Sequence, residues 1–192
     1  DTLFAAHVFG PGFSIVDVRN KQNPVRLKTV VYPGAGTHNV WTTDDGKYAL
    51  TSDETNSTLK TLKIWNIQDL NFVSMIAEWT PRPSDIIHNV RVKGGFAYCA
   101  YYTAGLLIAD ITIPSSPTIA DFFDTHPQAA GGYNGMWDVY PYLPSGRILA
   151  SDMLTGLHVF RFDKQKIGKV IGSVKDAFSG QTINGALIRI KE

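Results

Sequence analysis

The chain has 192 residues, 44% of them hydrophobic and 18% charged, and a formal charge of +1. That balance excludes a phosphate-tracking nucleic-acid surface, which needs Lys and Arg massed on one face, and no apolar run reaches the ~18 residues of a membrane-spanning helix. One cysteine, Cys99, excludes an intrachain disulfide and a CxxC metal site, while 17 glycines and 10 prolines suit a protein of strands and turns.

The chain opens on an apolar run, Leu3 to Ala6, with no basic-then-apolar leader. Phe13 to Val18 and Val25 to Val31 follow as further strand candidates. Val40-Trp41-Thr42 then turns through Asp44-Asp45-Gly46-Lys47 into Tyr48 to Asp53, and Leu62 to Ile67 and Phe72 to Trp79 come next. From Ile87 to Ile111, three short runs rich in β-branched and aromatic residues are divided by Lys93-Gly94-Gly95 and Thr103-Ala104-Gly105, the pattern of an antiparallel meander. Thr118 to Asp124, Met136 to Tyr140, Arg147 to Asp152 and Leu157 to Phe162 complete the series.

The runs starting at Phe13, Leu62, Leu106 and Leu157 repeat at intervals of 49, 44 and 51 residues, with apolar first, third and last positions. Each is the third strand of a four-strand unit. A tandem unit of that length predicts a β-propeller, since one such sheet cannot bury both faces unless neighbours stack on it. The expected fold is all-β, with about three and a half blades over residues 1–163. Because propellers close with about four to eight blades, the chain reads as part of a longer protein, or as one that closes by pairing with a second copy.

After Asp163 the composition changes. The first 163 residues carry 12 basic and 15 acidic side chains, and the rest carry 6 and 2. Residues 164–192 predict a linker and two half-buried strands, with alternation at Val170, Gly172 and Val174 and again at Ala186, Ile188 and Ile190, around a Ser179-Gly180 turn. The order Gly172-x-Val174-x-Asp176, Ser179-Gly180 and Ile183-x-Gly185-Ala186 resembles the opening of a carboxypeptidase regulatory-like, or transthyretin-like, β-sandwich domain.

The propeller region itself resembles the LVIVD-repeat propellers of the choice-of-anchor B family. The residues that carry this are Thr37-His38-Asn39-Val40-Trp41 with Ser52-Asp53-Glu54, then Ile87-His88-Asn89-Val90 with Ala104-Gly105-Leu106, and Phe123-Asp124-Thr125-His126-Pro127 with Tyr133 to Pro141. The resemblance implies a secreted or surface-attached bacterial propeller with no settled activity.

His38 and His88 each stand at the start of a blade's first strand and are followed by Asn39 and Asn89. First strands line a propeller's axis, so such side chains converge. The third equivalent position is read as Gly135, with Asn134, Tyr133 and Asp138 beside it, and these residues are the candidate ligand-binding set. His38, His88, Asp53, Glu54 and Asp152 are candidate ligands for a divalent metal ion such as calcium. The competing structural readings are that the His-Asn pairs satisfy loop backbone groups, that the carboxylates are solvated turn residues, and that Trp41 and Trp137 are core.

No nucleophile elbow, HExxH, phosphate loop or dinucleotide motif is present. The expected role is therefore a non-catalytic binding or scaffold module, extracellular or attached to the cell surface, with a protein or glycan ligand. The alternative is a metal-dependent hydrolase with an axial ion.

Overall fold

The computed structural model describes residues 1–55, 59–164 and 173–183. The chain divides into two compact units, Asp1–Phe162 and Asp163–Glu192. In the first, the strands are β1 (Thr2–His7), β2 (Gly12–Asp17), β3 (Val25–Val31), β4 (Thr37–Thr42), β5 (Tyr48–Asp53), β6 (Leu62–Asn66) and β7 (Ser74–Trp79), followed by β8 (Val90–Lys93), β9 (Phe96–Tyr101), β10 (Gly105–Asp110), β11 (Thr118–Phe123), β12 (Met136–Tyr140), β13 (Arg147–Asp152) and β14 (Gly156–Arg161). They form four antiparallel sheets in chain order: β1-β2-β3, β4-β5-β6-β7, β8-β9-β10-β11 and β12-β13-β14. These are propeller blades, and no helix among the described residues is long and apolar enough to cross a membrane.

Strand boundaries follow from turn chemistry. Between β4 and β5, the Asp45 carboxylate accepts hydrogen bonds from the Thr43 hydroxyl at 2.7 Å and the Lys47 N–H at 3.1 Å, closing a turn that ends the strand pair. Asp69 closes another by accepting the Asn71 N–H at 2.8 Å, so Phe72, expected inside the next strand, lies exposed before it and β7 begins at Ser74.

Three cores lie between successive blades. Phe13, Ile15 and Val30 of the first blade pack on Ala49, Trp65 and Ile67 of the second. Leu50, Leu62 and Ile64 pack on β8, β9 and β10, and Tyr98, Ala100, Leu106 and Ile108 pack on Met136, Val139, Ile148 and Ala150. Each buried Leu or Ile contributes about 1.5–3 kcal/mol. Ser52, Ala100 and Ser151 pair with Leu62, Leu106 and Leu157 respectively. The last of these leucines is 67% exposed where its counterparts are 0% and 2%, because among the described residues no further blade follows β12–β14 to cover that face.

The third and fourth strands slip register at the same place in three blades, at Ile15/Val16, Ile64/Trp65 and Ile108/Ala109, and such bulges bend and twist the outer strand. A second set of slips falls on the inner strands. One residue is skipped between Thr37 and Asn39 and one between Met136 and Asp138, leaving His38 and Trp137 as the extra residues. In the third blade the Ala100 carbonyl accepts the His88 N–H while the Ala100 N–H donates to the Asn89 carbonyl, both at 2.8 Å, so His88 holds the same place. The third counterpart of His38 and His88 is therefore Trp137 and not Gly135, which the sequence reading had two residues too early.

In the second unit, Lys175 and Thr182 bridge across a turn in which Asp176 Oδ1 accepts the Phe178 and Ser179 N–H groups at 3.1 and 2.7 Å. The Ser179-Gly180 turn thus stands as expected. Of the flanking strands expected around Val170, Gly172 and Val174 and around Ala186, Ile188 and Ile190, all of these positions except Val174 lie outside the described residues.

Candidate functional site at the axial end of the blades

The first strands β4, β8 and β12 touch one another in succession, which brings their bulged residues into contact as tilted ring pairs. The His38 and His88 ring centroids are 4.0 Å apart, and those of His88 and Trp137 are 4.3 Å apart. The step runs from buried to open: His88 is 1% exposed, whereas Trp137 is 46% exposed and Tyr133, which meets the Tyr102 ring, 52%. The reading of Trp137 as core is corrected here, because its bulge turns the indole out of the blade interface.

Glu54 follows β5 and reaches the same place. Its N–H donates to the Gly36 carbonyl at 2.9 Å, which fixes the chain direction after the strand. One carboxylate oxygen lies 2.8 Å from His38 Nδ1, and the other accepts the Tyr102 hydroxyl at 2.6 Å and lies 3.9 Å from His88 Nε2. Burial works to raise the Glu54 pKa, but the hydrogen bonds from His38 and Tyr102 outweigh it, and the carboxyl titrates below its ordinary range. Burial lowers the His88 pKa and pushes the Tyr102 phenol up. At neutral pH the cluster therefore holds a carboxylate, a neutral His88 and a neutral phenol.

Tyr102 is placed by a strained backbone. Its φ is +24°, a region that non-glycine residues rarely occupy, and its carbonyl accepts both the Gly105 and Met136 N–H groups at 3.0 and 2.9 Å. Gly135 makes this close approach possible: at φ +112°, a Cβ there would stand 2.4 Å from the Tyr102 carbonyl oxygen.

The other candidate residues have different partners. Asn39 Oδ1 accepts the Val90 N–H at 3.1 Å, Asn89 Nδ2 donates to the Trp137 carbonyl at 3.1 Å, and Asp138 pairs with Arg91 at 2.9 Å, so these three tie adjacent blades together. Asn134 is exposed beside Tyr133, whose hydroxyl lies 3.5 Å from the Glu54 carbonyl. Asp53 and Asp152, expected among the solvated turn carboxylates, are buried and paired. Asp53 takes Lys63 Nζ at 2.5 Å and the Tyr32 hydroxyl at 2.6 Å. Asp152 takes Thr125 at 2.8 Å, His126 at 3.1 Å and the Leu154 and Thr155 N–H groups. Of the five candidate metal ligands, the structure brings His38, Glu54 and His88 together, with ligand atoms within 4.8 Å of one another.

Sequence reasoning did not bring Tyr102 to Glu54, and it favoured the core for Trp137. Trp137 had a signal: Met136-Trp137-Asp138-Val139 aligns with Ile87-His88-Asn89-Val90 once the valines are matched. Tyr102 had none, because its role depends on a backbone angle.

The LVIVD repeat family matches residues 87–125, which is the third blade. Among solved structures, the chain is similar to a periplasmic gluconolactonase of Pseudomonas aeruginosa, at 14% identity and a TM-score of 0.63 over 94% of this chain and 48% of that one. It is also similar to a putative 6-phosphogluconolactonase of Bacteroides fragilis, at 14% identity and a TM-score of 0.62 over 84% of this chain and 48% of that one. The chain spans about half the length of these structures, and at this identity they carry the fold alone. No curated protein matches it in sequence.

Proposed function

We propose that the chain is a non-catalytic binding module, secreted or held at a cell surface, that takes a carbohydrate at the axial end of its blades. The observation that carries this reading is the half-exposed Trp137 indole packed at a tilt against His88, with the Tyr102 ring meeting both it and the exposed Tyr133 ring, and the Glu54 carboxylate behind His88. An exposed aromatic face backed by fixed polar groups suits a sugar, which offers an apolar ring face and hydroxyls at its edge. The two fold neighbours are named for sugar lactones, which accords with a polyhydroxylated ligand.

Titrating oligosaccharides while following tryptophan fluorescence tests the proposal. A saturable change that Trp137→Ala and Tyr133→Ala abolish supports it. A saturable change that survives both substitutions contradicts it.

A second reading, ion-dependent hydrolysis at the same place, is favoured by one observation, the convergence of His38, Glu54 and His88. Turnover of a sugar lactone that stops on Glu54→Gln would select this reading over simple binding.

A further inference from the structure

The His88 ring shows its tautomer. Nδ1 lies 2.6 Å from the Trp137 carbonyl oxygen. A carbonyl only accepts, so Nδ1 carries the proton, and Nε2 of the neutral ring presents a lone pair. Among the described residues, Nε2 is one of the few buried side-chain nitrogen or oxygen atoms with no hydrogen-bond partner. The atom facing it, 3.9 Å away, is a Glu54 oxygen that already accepts the Tyr102 hydroxyl. Two acceptors therefore face each other in a buried space, an arrangement that costs free energy unless something positive lies between them.

The separation fits an ion. Zinc–nitrogen and zinc–oxygen bonds are about 2.0–2.2 Å each, so two ligand atoms of one ion lie at most about 4.2 Å apart. The His88–Glu54 pair at 3.9 Å is inside that limit, and the trio, within 4.8 Å, closes slightly around the ion. His38 stands 4.0 Å from His88, ring to ring, with Nδ1 2.8 Å from Glu54, and supplies a second imidazole once the ion displaces the proton shared with that carboxylate. The surroundings already orient the ligands. The Trp137 carbonyl holds the His88 tautomer and the Tyr102 hydroxyl holds Glu54, the kind of outer contact that fixes metal ligands elsewhere.

We propose that His38, Glu54 and His88 hold a divalent transition-metal ion of the zinc class, with His88 Nε2 as its most buried ligand. Two imidazoles and one carboxylate suit zinc, cobalt or nickel. Calcium takes oxygen ligands, so the calcium suggested by the carboxylates in the sequence is replaced by a softer ion. The inference does not depend on the carbohydrate reading, because the metal alone is the probe.

The test is a cobalt(II) titration of the tag-free 192-residue chain, read by visible absorption and by the shift of Tm. The expected result is about one equivalent bound with a visible d–d band. Zinc should displace it, and millimolar calcium should not. His38→Ala and His88→Ala should each weaken binding at least about tenfold, while His158→Ala, at a half-buried ring of β14 that meets Thr155, leaves it unchanged. His38→Ala carries the test on its own if His88→Ala does not fold. The inference is overturned if the folded wild type takes up no cobalt, if both histidine variants bind it as the wild type does, or if calcium displaces it.

Discussion

Asp53 and Glu54 are neighbours in the chain, both are buried, and they belong to two different kinds of polar cluster. Asp53 points into the contact between the first two blades, where Lys63 Nζ reaches it at 2.5 Å and in turn meets Thr61 at 2.6 Å and Glu78 at 3.0 Å. Every charge there has a partner, and the cluster is a fastener. Glu54 faces the axis, where His88 Nε2 has a lone pair and no donor. What separates a structural polar cluster from a candidate functional one is therefore whether it is internally complete, because burial is common to both. Asp53 is the last residue of β5, and Glu54, just past the strand end with its N–H on the Gly36 carbonyl, turns the other way.

Breaking the complete cluster should have the largest effect on stability. Lys63→Met leaves the Asp53 carboxylate buried without its cation and should cost about 3–5 kcal/mol in urea unfolding. A loss below about 1 kcal/mol would show that the pair is not a fastener. Gly135→Ala comes next. It strains φ and forces the Tyr102 carbonyl away, and should cost about 1–3 kcal/mol while loosening the Glu54 contact. Unchanged stability together with unchanged cobalt binding would remove Tyr102 from the site.

The Asp152 fastener supplies a pH signature. Burial works to raise its pKa, but hydrogen bonds from the Thr155 and Leu154 N–H groups and from Thr125 outweigh burial and bring it down to about 2 from an ordinary 3.8. A carboxyl depressed in the folded state stabilises the fold above its unfolded pKa, and that contribution is lost as pH falls through the folded one. About 2 kcal/mol should disappear between pH 4 and pH 2, and Asp152→Asn should flatten the curve over that window. A wild-type profile already flat there would contradict the assignment.

The smallest stability effect belongs to the open end of the aromatic step. Trp137→Ala should change stability by less than about 1 kcal/mol, since half of the ring is exposed, while abolishing the fluorescence response to sugars. A large loss of stability would return Trp137 to the core.

The blades were legible in the sequence because their signal is local and repeated: apolar positions at fixed places in the third strand, with turns between. The convergence of His38 and His88 was legible for the same reason, since identical positions in successive blades must meet at the axis. The bulges were not legible. Skipping one residue before Asn39 and one before Asp138 changes which side chain faces the axis, and the letters alone hid Trp137 behind Gly135. The burial of Asp53 and Asp152 was hidden too, because their partners Lys63, Tyr32, Thr125 and His126 sit on other strands or in loops from the preceding blade.

The most direct test is anomalous diffraction at the zinc edge from crystals of the chain grown with one equivalent of zinc. A single strong peak within bonding distance of His38, Glu54 and His88, with none at Asp53–Lys63 or Asp152–His126, is the predicted result. A peak at the Asp152–His126 pair, or no peak at the axial trio, would contradict it.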